Sequence, residues 1–301
     1  MSQSSQTAKI DLSVVIVTFN NADIIFPCCN ALAEHLGNMQ TQLIIIDNSS
    51  SDDTRFTLRK IESSFSGYFD IHVFLNRENT GYTRGVNQGI KMSRGEYLLI
   101  MNPDVIVTSS LSPLFEQFEE EDKIGVLAPQ LRYPDGRIQP SCRRFPKRRD
   151  VLYECMALAI LFPQSPRFNS WRMPDFDHKN VLDNCQPQGA FLLTSQKVIE
   201  RVGRFDEHFT MFFSDVDWCR RVIDAGFIIR FLPKTFVYHI QGASIRQRRA
   251  EMIISSHRSF IHYFEKYNSS RIHRIGTKLA FLFLLVGTLP RLIITALRNQ
   301  K

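Results

Sequence analysis

A chain of 301 residues that is 44% hydrophobic and carries 24 phenylalanines is neither disordered nor of low complexity, and it can bury one substantial core. The net charge of +7 is confined to one end: from Lys266 onward there are seven Lys or Arg and no Asp or Glu, and the residues before it carry 30 of each sign. A balanced body excludes the electrostatic footprint of a nucleic-acid-binding protein, and a basic, greasy tail points to an anionic membrane surface.

The opening MSQSSQTAKI is polar and has no signal-peptide core, which predicts a cytoplasmic protein. LSVVIVT at 12–18 is a short apolar, β-branched run bounded by polar residues, the pattern of a buried parallel strand. Runs at 42–47, 72–76, 96–101 and 124–129 repeat it, and segments of helical spacing fill 22–36, 53–65, 82–93 and 111–119. Strands alternating with helices predict an α/β layer with a mostly parallel sheet. Ligands of such sheets bind beyond the carboxyl ends of the strands, which brings 18–21, 47–51, 76–81 and 102–104 to one crevice. Residues 129–183 are rich in Pro, Arg and aromatics and weakly periodic, apart from an apolar helix near 151–162, and read as a functional loop. A strand at 189–195, helices at 196–202 and 216–224, and strands near 227–231 and 236–239 follow. The cysteines, Cys28 and Cys29 adjacent and Cys142, Cys155, Cys185 and Cys219 scattered, lack metal or disulfide spacing and read as reduced thiols. The apolar run 279–289 is interrupted by Pro290 and Arg291 and, even extended to 297, reaches only the short end of the ~17–25 residues a span needs. An in-plane or re-entrant helix is preferred to a span, with a terminal helix packed on the domain as the alternative.

Five groups of polar residues could carry chemistry. Asp47-Asn48 ends a buried strand, where a carboxylate and an amide can bind a base or ribose, or simply cap a turn. Asn79 to Gly89 holds Gly81, Gly85 and Gly89 four apart: either a backbone open to a phosphate at a helix start, or a helix packed closely on the sheet. The spacing is not GxGxxG, which counts against a nicotinamide cofactor. Asn102-Pro103-Asp104 puts a carboxylate at a strand end, suited to a hard divalent ion beside a diphosphate. Asp215 and Asp217 begin a helix after Met211-Phe212-Phe213, an environment that raises a carboxylate's pKa toward general-base duty, with Arg220 or Arg221 placed to pair with one of them. His239, ending a strand, could complete a metal site with Asp104.

VVIVTFNN, IIIDNSSSDDT, NTGYTRGVNQGI, NPDV, GAFLLT, RFDEHFTMFFSDVDWCRR and VYHIQGAS, running from Leu12 to Ser244, together resemble the family-2 glycosyltransferases of the GT-A fold. PDGRIQ at 134–139 and the segment 141–146 resemble the rhamnosyltransferase-like branch. The resemblance implies a GT-A-type, Rossmann-like fold and a nucleotide-diphosphate sugar donor. Thr18, Asn20, Asp47 and Asn48 would lie near the base and ribose, and Asn79, Gly81 and Asn87 near the sugar-diphosphate. Asn102 and Asp104 occupy the DxD position, His239 is the third metal-associated residue for Mg²⁺ or Mn²⁺, and Asp215 is the catalytic base. Gly189, Asp217, Arg220 and Arg221 fall to the acceptor side or orient the base. Two positions depart from the family pattern: Asn102 replaces the first Asp, and Ser214 stands where Glu precedes the base.

The expected organisation is a glycosyltransferase domain over 1–245 and a helical region over 246–301. The expected reaction is inverting transfer of a sugar, dTDP-L-rhamnose being the first donor to test, to a glycan or lipid-linked glycan in bacterial surface polysaccharide synthesis. The site of action would be the inner face of the cytoplasmic membrane, peripheral or monotopic, with no nucleic acid as partner and a homodimer left open. Transfer from another UDP- or dTDP-sugar, or a non-catalytic nucleotide-sugar-binding protein, are the alternatives.

Overall fold

The structure, a computed structural model, describes residues 9–156, 158–240 and 249–267. The strands are β1 (Leu12–Thr18), β2 (Thr41–Asp47), β3 (Phe69–Leu75), β4 (Tyr97–Met101), β5 (Val105–Val107), β6 (Ile124–Arg132), β7 (Cys142–Arg143), β8 (Leu182–Asp183), β9 (Gln186–Pro187), β10 (Phe191–Ser195) and β11 (Ile228–His239). The helices are α1 (Ala22–His35), α2 (Thr54–Phe65), α3 (Tyr82–Met92), α4 (Ser112–Glu120), α5 (Arg148–Cys155), α6 (Leu158–Leu161), α7 (Gln196–Val202), α8 (Ser214–Asp224) and α9 (Arg249–Lys266). One large sheet has the order β3-β2-β1-β4-β10-β6-β11-β5, with β8 against β11, and β7 pairs separately with β9. The pairings set six of its strands in one direction and β5, β8 and β10 in the other. The sheet is thus mixed, with a parallel majority.

The continuous apolar runs have a simple cause: both faces of the sheet are covered. Every residue of β1 and β2 is buried. Leu12, Val14 and Ile16 face α1, α2 and α4, packing with Ile25, Leu32, Leu58, Ile61 and Leu114. Val15 and Val17 face α3, α7 and α8, packing with Val86, Ile90, Val198, Trp218 and Val222. A third, aromatic cluster of Trp171, Phe209, Phe213, Phe260, Tyr263 and Phe264 joins α9 to the start of α8 and to the loop at 170–172.

Several boundaries differ from the sequence reading. The strand at 124–129 runs on through Pro129 to Arg132, and the two expected strands at 227–231 and 236–239 form one, β11. The register of β11 shifts between Leu232 and Phe236, opposite Pro129, where the ladder lacks a donor N–H. The expected helix near 151–162 becomes the short α5 and α6, and β5 is a strand that periodicity over three residues cannot reveal. Cys28, Cys29, Cys142, Cys185 and Cys219 are buried free thiols. Among the described residues no helix is long and apolar enough to cross a membrane; the run 279–297 lies outside them.

Candidate active site

The carboxyl ends of β1 and β2 are level, Thr18 opposite Asp47, and Asn48 N–H donates to Thr18 O at 2.8 Å. Buried Asp47 accepts from Ser50 N–H and the Ser50 hydroxyl, and Arg55 Nε reaches it at 3.4 Å. Asn20 and Ser49 hold left-handed backbone, φ 53° and 66°, which turns the chain sharply just beyond both strands. Asn20 N–H donates to Ser50 Oγ and Ser51 N–H to Asn20 Oδ1, both at 2.8 Å, so the two turns are laced together. Asn48 fastens the third turn: its Nδ2 donates to Gly81 O at 3.0 Å, and its Oδ1 accepts from Asn76 Nδ2 and Thr80 Oγ1. Asn79 is exposed and caps Gly81 N–H at 3.0 Å, with Gly81 at φ 89°. The turns after β1, β2 and β3 are thus bonded to one another at the carboxyl edge of the sheet.

Across β4 the same edge carries carboxylates. Val105 of β5 pairs with His239 of β11, and Ile240 N–H donates to Asp104 O at 2.9 Å, so the topology itself brings Asp104 and His239 together. His239 Nε2 and Asp104 Oδ1 are 3.3 Å apart, both residues are buried, and among the described residues Asp104 Oδ1 has no hydrogen-bond partner. An orphaned carboxylate oxygen facing an imidazole nitrogen fits a shared divalent cation. Asp206, His208 and His262 form another grouping of ligand type, but the Lys266 ammonium sits 2.7 Å from Asp206 Oδ2 and occupies it.

Asp215, the second residue of α8, is tied to the segment that adjoins the Asn102–Asp104 turn. Its Oδ2 accepts Gly189 N–H at 2.9 Å and Gln186 Nε2 at 3.3 Å, and its Oδ1 accepts Val216 N–H at 2.9 Å. The next residue along, Ala190, accepts Asn102 N–H at 2.9 Å, so one peptide step separates the carboxylate's anchor from the Asn-Pro-Asp turn. Burial pushes the Asp215 carboxyl above its ordinary range, further than the Gly189 and Val216 N–H groups and the Arg143 charge draw it back. Tyr82 donates to Gly189 O at 3.4 Å, and its phenol is pushed far up by burial and by the charges of Asp215 and Asp104. A Cβ at Gly189 would crowd Asp215, meeting its Cβ at 3.0 Å and its Oδ2 at 3.1 Å.

Four expected residues turn elsewhere. The Asn87 amide bonds Phe205 N–H and O and Glu207 Oε1, and so ties α3 to the loop before α8 rather than opening to a phosphate. Fully buried Asp217 pairs with Arg221 at 2.9 Å and Lys266 at 2.7 Å and accepts from Tyr267 OH. Arg221 also caps Val202 O and Arg204 O, and Arg220 pairs with Asp224. None of the three orients Asp215; Gly189 and Gln186 do. Sequence reading gave Gln139 and Tyr82 no role of their own, although they sit inside the PDGRIQ and NTGYTRGVNQGI segments, and it overlooked Gln186, which lies in no motif. A cavity of about 250 Å³ lined by Asp11, His35 and Phe115 lies at the opposite edge of the sheet, away from this chemistry.

Residues 13–175 match the family model described as Glycosyl transferase family 2. The chain is 27% identical over 233 residues to the N-acetylglucosaminyl-diphospho-decaprenol L-rhamnosyltransferase of Mycobacterium tuberculosis, covering 72% of each. It is 26% identical over 218 residues to the O-antigen chain rhamnosyltransferase WbaN of Salmonella anatum, covering 70% of this chain and 60% of that one. In fold it resembles a mannosyltransferase from Pyrobaculum calidifontis solved with GDP-Man and Mn²⁺, with a TM-score of 0.58, 14% identity, and coverage of 93% and 74%.

Proposed function

The chain belongs to glycosyl transferase family 2, whose model spans more than half of it, and from that premise we propose that it transfers L-rhamnose from dTDP-L-rhamnose to a hydroxyl of a lipid-linked or polysaccharide acceptor, inverting the anomeric carbon. The fold is of the GT-A type. The rhamnosyl reading draws on the two relatives named for that activity, and the lipid-linked acceptor on the first of them.

One observation carries the mechanism: Asp215 is anchored one peptide step from the turn that holds Asp104, itself 3.3 Å from His239. Asp215 takes the proton of the acceptor hydroxyl as that oxygen attacks the anomeric carbon. The bond from that carbon to the departing phosphate oxygen breaks, and the nucleoside diphosphate leaves with the electron pair. Burial makes Asp215 a stronger base than an exposed carboxylate, while the Gly189 and Val216 N–H groups oppose part of that shift and fix the carboxylate in direction. A bound Mg²⁺ or Mn²⁺, held by Asp104 and His239, would offset charge on the diphosphate. Asp47, Asn20 and the turns they brace form the donor rim. The tail beyond Lys266, with its unbalanced positive charge, holds the enzyme at the inner face of the cytoplasmic membrane where such an acceptor is presented.

Thermal unfolding in the presence of UDP-, GDP- and dTDP-sugars, each with and without Mn²⁺, tests this reading. We expect dTDP-L-rhamnose with Mn²⁺ to give the largest rise in Tm, about 2.7 kcal/mol of stabilisation at a hundredfold excess over Kd. A larger shift with a UDP- or GDP-sugar removes the rhamnosyl assignment, and no shift with any of them removes the donor site.

A further inference from the structure

We propose that Gln139 is a positioning residue that fixes the tautomer of His239, leaving the His239 Nε2 lone pair aimed at the space shared with Asp104. The inference rests on the metal-site reading of Asp104 and His239 and assigns a residue outside that pair. A histidine ligates through an unprotonated ring nitrogen, so a useful ligand must carry its hydrogen on the other one. His239 Nδ1 lies 2.9 Å from Gln139 Oε1, and a carbonyl oxygen can only accept. The hydrogen is therefore on Nδ1. In the neutral imidazole Nε2 is then bare; it lies 3.3 Å from Asp104 Oδ1, which has no hydrogen-bond partner among the described residues. Two acceptors facing each other in a buried place repel; a cation between them removes the conflict.

The fold delivers Gln139 deliberately. After β6 the chain turns at Tyr133–Arg137, with Gly136 at φ 85°, Gly136 N–H donating to Tyr133 O at 2.8 Å and Tyr133 N–H to Arg137 O at 2.9 Å. Ile138 then bridges back to Arg132, and Gln139 N–H donates to Leu131 O at 2.8 Å. Since Val237 and Tyr238 of β11 pair with Leu131 and Arg132, this return lays Gln139 against the end of β11, where His239 stands. Gln139 is buried to 1% exposure, and among the described residues its Nε2 has no partner, so the imidazole is its side chain's one polar contact there. A buried amide kept for a single bond is costly unless that bond matters. With the amide turned the other way, Nε2 would donate to Nδ1, move the imidazole hydrogen to Nε2 and shut the site with an N–H···O contact to Asp104. The two arrangements are separable by experiment.

The test uses the full chain with ¹⁵N-labelled histidine, His239 being assigned by difference from His239→Asn. In metal-free wild-type protein, at a pH where the His239 ring is neutral, we expect the hydrogen on Nδ1; a hydrogen on Nε2 overturns the proposal. Gln139→Met, which cannot accept, should release the tautomer and weaken Mn²⁺ binding about 10–100-fold, read by electron paramagnetic resonance with dTDP, UDP or GDP present. Gln139→Glu, which still accepts from Nδ1–H, should keep the wild-type tautomer and bind Mn²⁺ more tightly than Gln139→Met. Should Gln139→Met not fold, the wild-type and Gln139→Glu spectra still decide. Equal Mn²⁺ affinity in wild type, Gln139→Met and Gln139→Glu, with Asp104→Asn weakened, overturns the role of Gln139 while the metal site stands. An Asp104→Asn variant that binds Mn²⁺ like the wild type would instead strike the metal site, leaving the tautomer to the metal-free spectrum.

Discussion

Asp215 shows how one residue can serve activity against stability. Replacing it with Asn keeps the shape and an acceptor for Gly189 N–H but removes the base, so turnover should fall by about 10²–10⁴-fold while donor binding, measured by thermal shift, is retained. Near-wild-type turnover would remove Asp215 from the base role. Stability should move the other way. Burial raises the folded-state pKa above the ordinary value of 3.8, so the folded state favours the protonated form. That contribution is fully present below the unfolded pKa and is lost as pH rises through the folded one. Asp215→Asn has no such loss. Its Tm relative to wild type should therefore climb from about pH 3.9 upward and level off above the raised pKa. The slope of that difference is diagnostic, because every other titrating group is common to both proteins. A flat difference would mean that burial does not strain the carboxylate. The sequence could suggest such a pKa from the aromatic residues before Asp215, but it assigned the orienting role to Arg220 and Arg221. Residues two apart on a helix point about 200° from one another, so Asp217 and its Arg221 face the α9 side while Asp215 faces Gly189.

At the scale of elements, the glycines of α3 separate two readings that sequence alone left level. A Cβ at Gly85 would come 2.9 Å from Val17 Cγ1, and one at Gly89 would come 2.3 Å from Val15 Cγ1. Both glycines therefore let α3 lie directly on β1. Gly89→Ala gains up to about 1 kcal/mol of helix propensity, but the clash is with two β-branched methyls on a buried strand, and overpacking of that kind costs about 1–3 kcal/mol. We expect a net loss in chemical denaturation, recovered in part by Val15→Ala in the same chain. A Gly89→Ala protein as stable as wild type would return these glycines to a phosphate role. Element type was readable from the sequence because 14–17 and 43–46 are apolar without interruption, which a sheet covered on both faces demands. The extension of β6 past Pro129 was not, because the shift in β11 that accommodates the proline belongs to a partner about 100 residues away in the chain.

The whole molecule explains why the candidate site could be read further than the loops around it. Thr18, Asp47 and Asn102 sit at or just past strand ends, and a parallel sheet must bring its carboxyl ends to one edge whatever the connections do. Gln139 and Gln186 reach the same edge only through the turns and short strands of 129–187, whose course depends on tertiary contacts that no periodicity records. The charge distribution also belongs to this scale. Past Tyr267 the sequence has six Lys or Arg, no Asp or Glu and the apolar run 279–289, while the residues before Lys266 are electrically balanced. At about 1 kcal/mol per basic residue near an anionic surface, six are enough to hold the protein on a membrane at low salt, and screening over about 8 Å at 0.15 M should weaken them markedly. A chain ending at 267 keeps the Lys266 and Tyr267 contacts to Asp217 and so keeps α9 docked. We expect the full chain to float with phosphatidylglycerol vesicles, less so as salt rises, and the shortened chain to stay behind while retaining its nucleotide-dependent thermal shift. Equal flotation of the two would place any membrane contact on the folded body, and the basic tail would lose its assigned purpose.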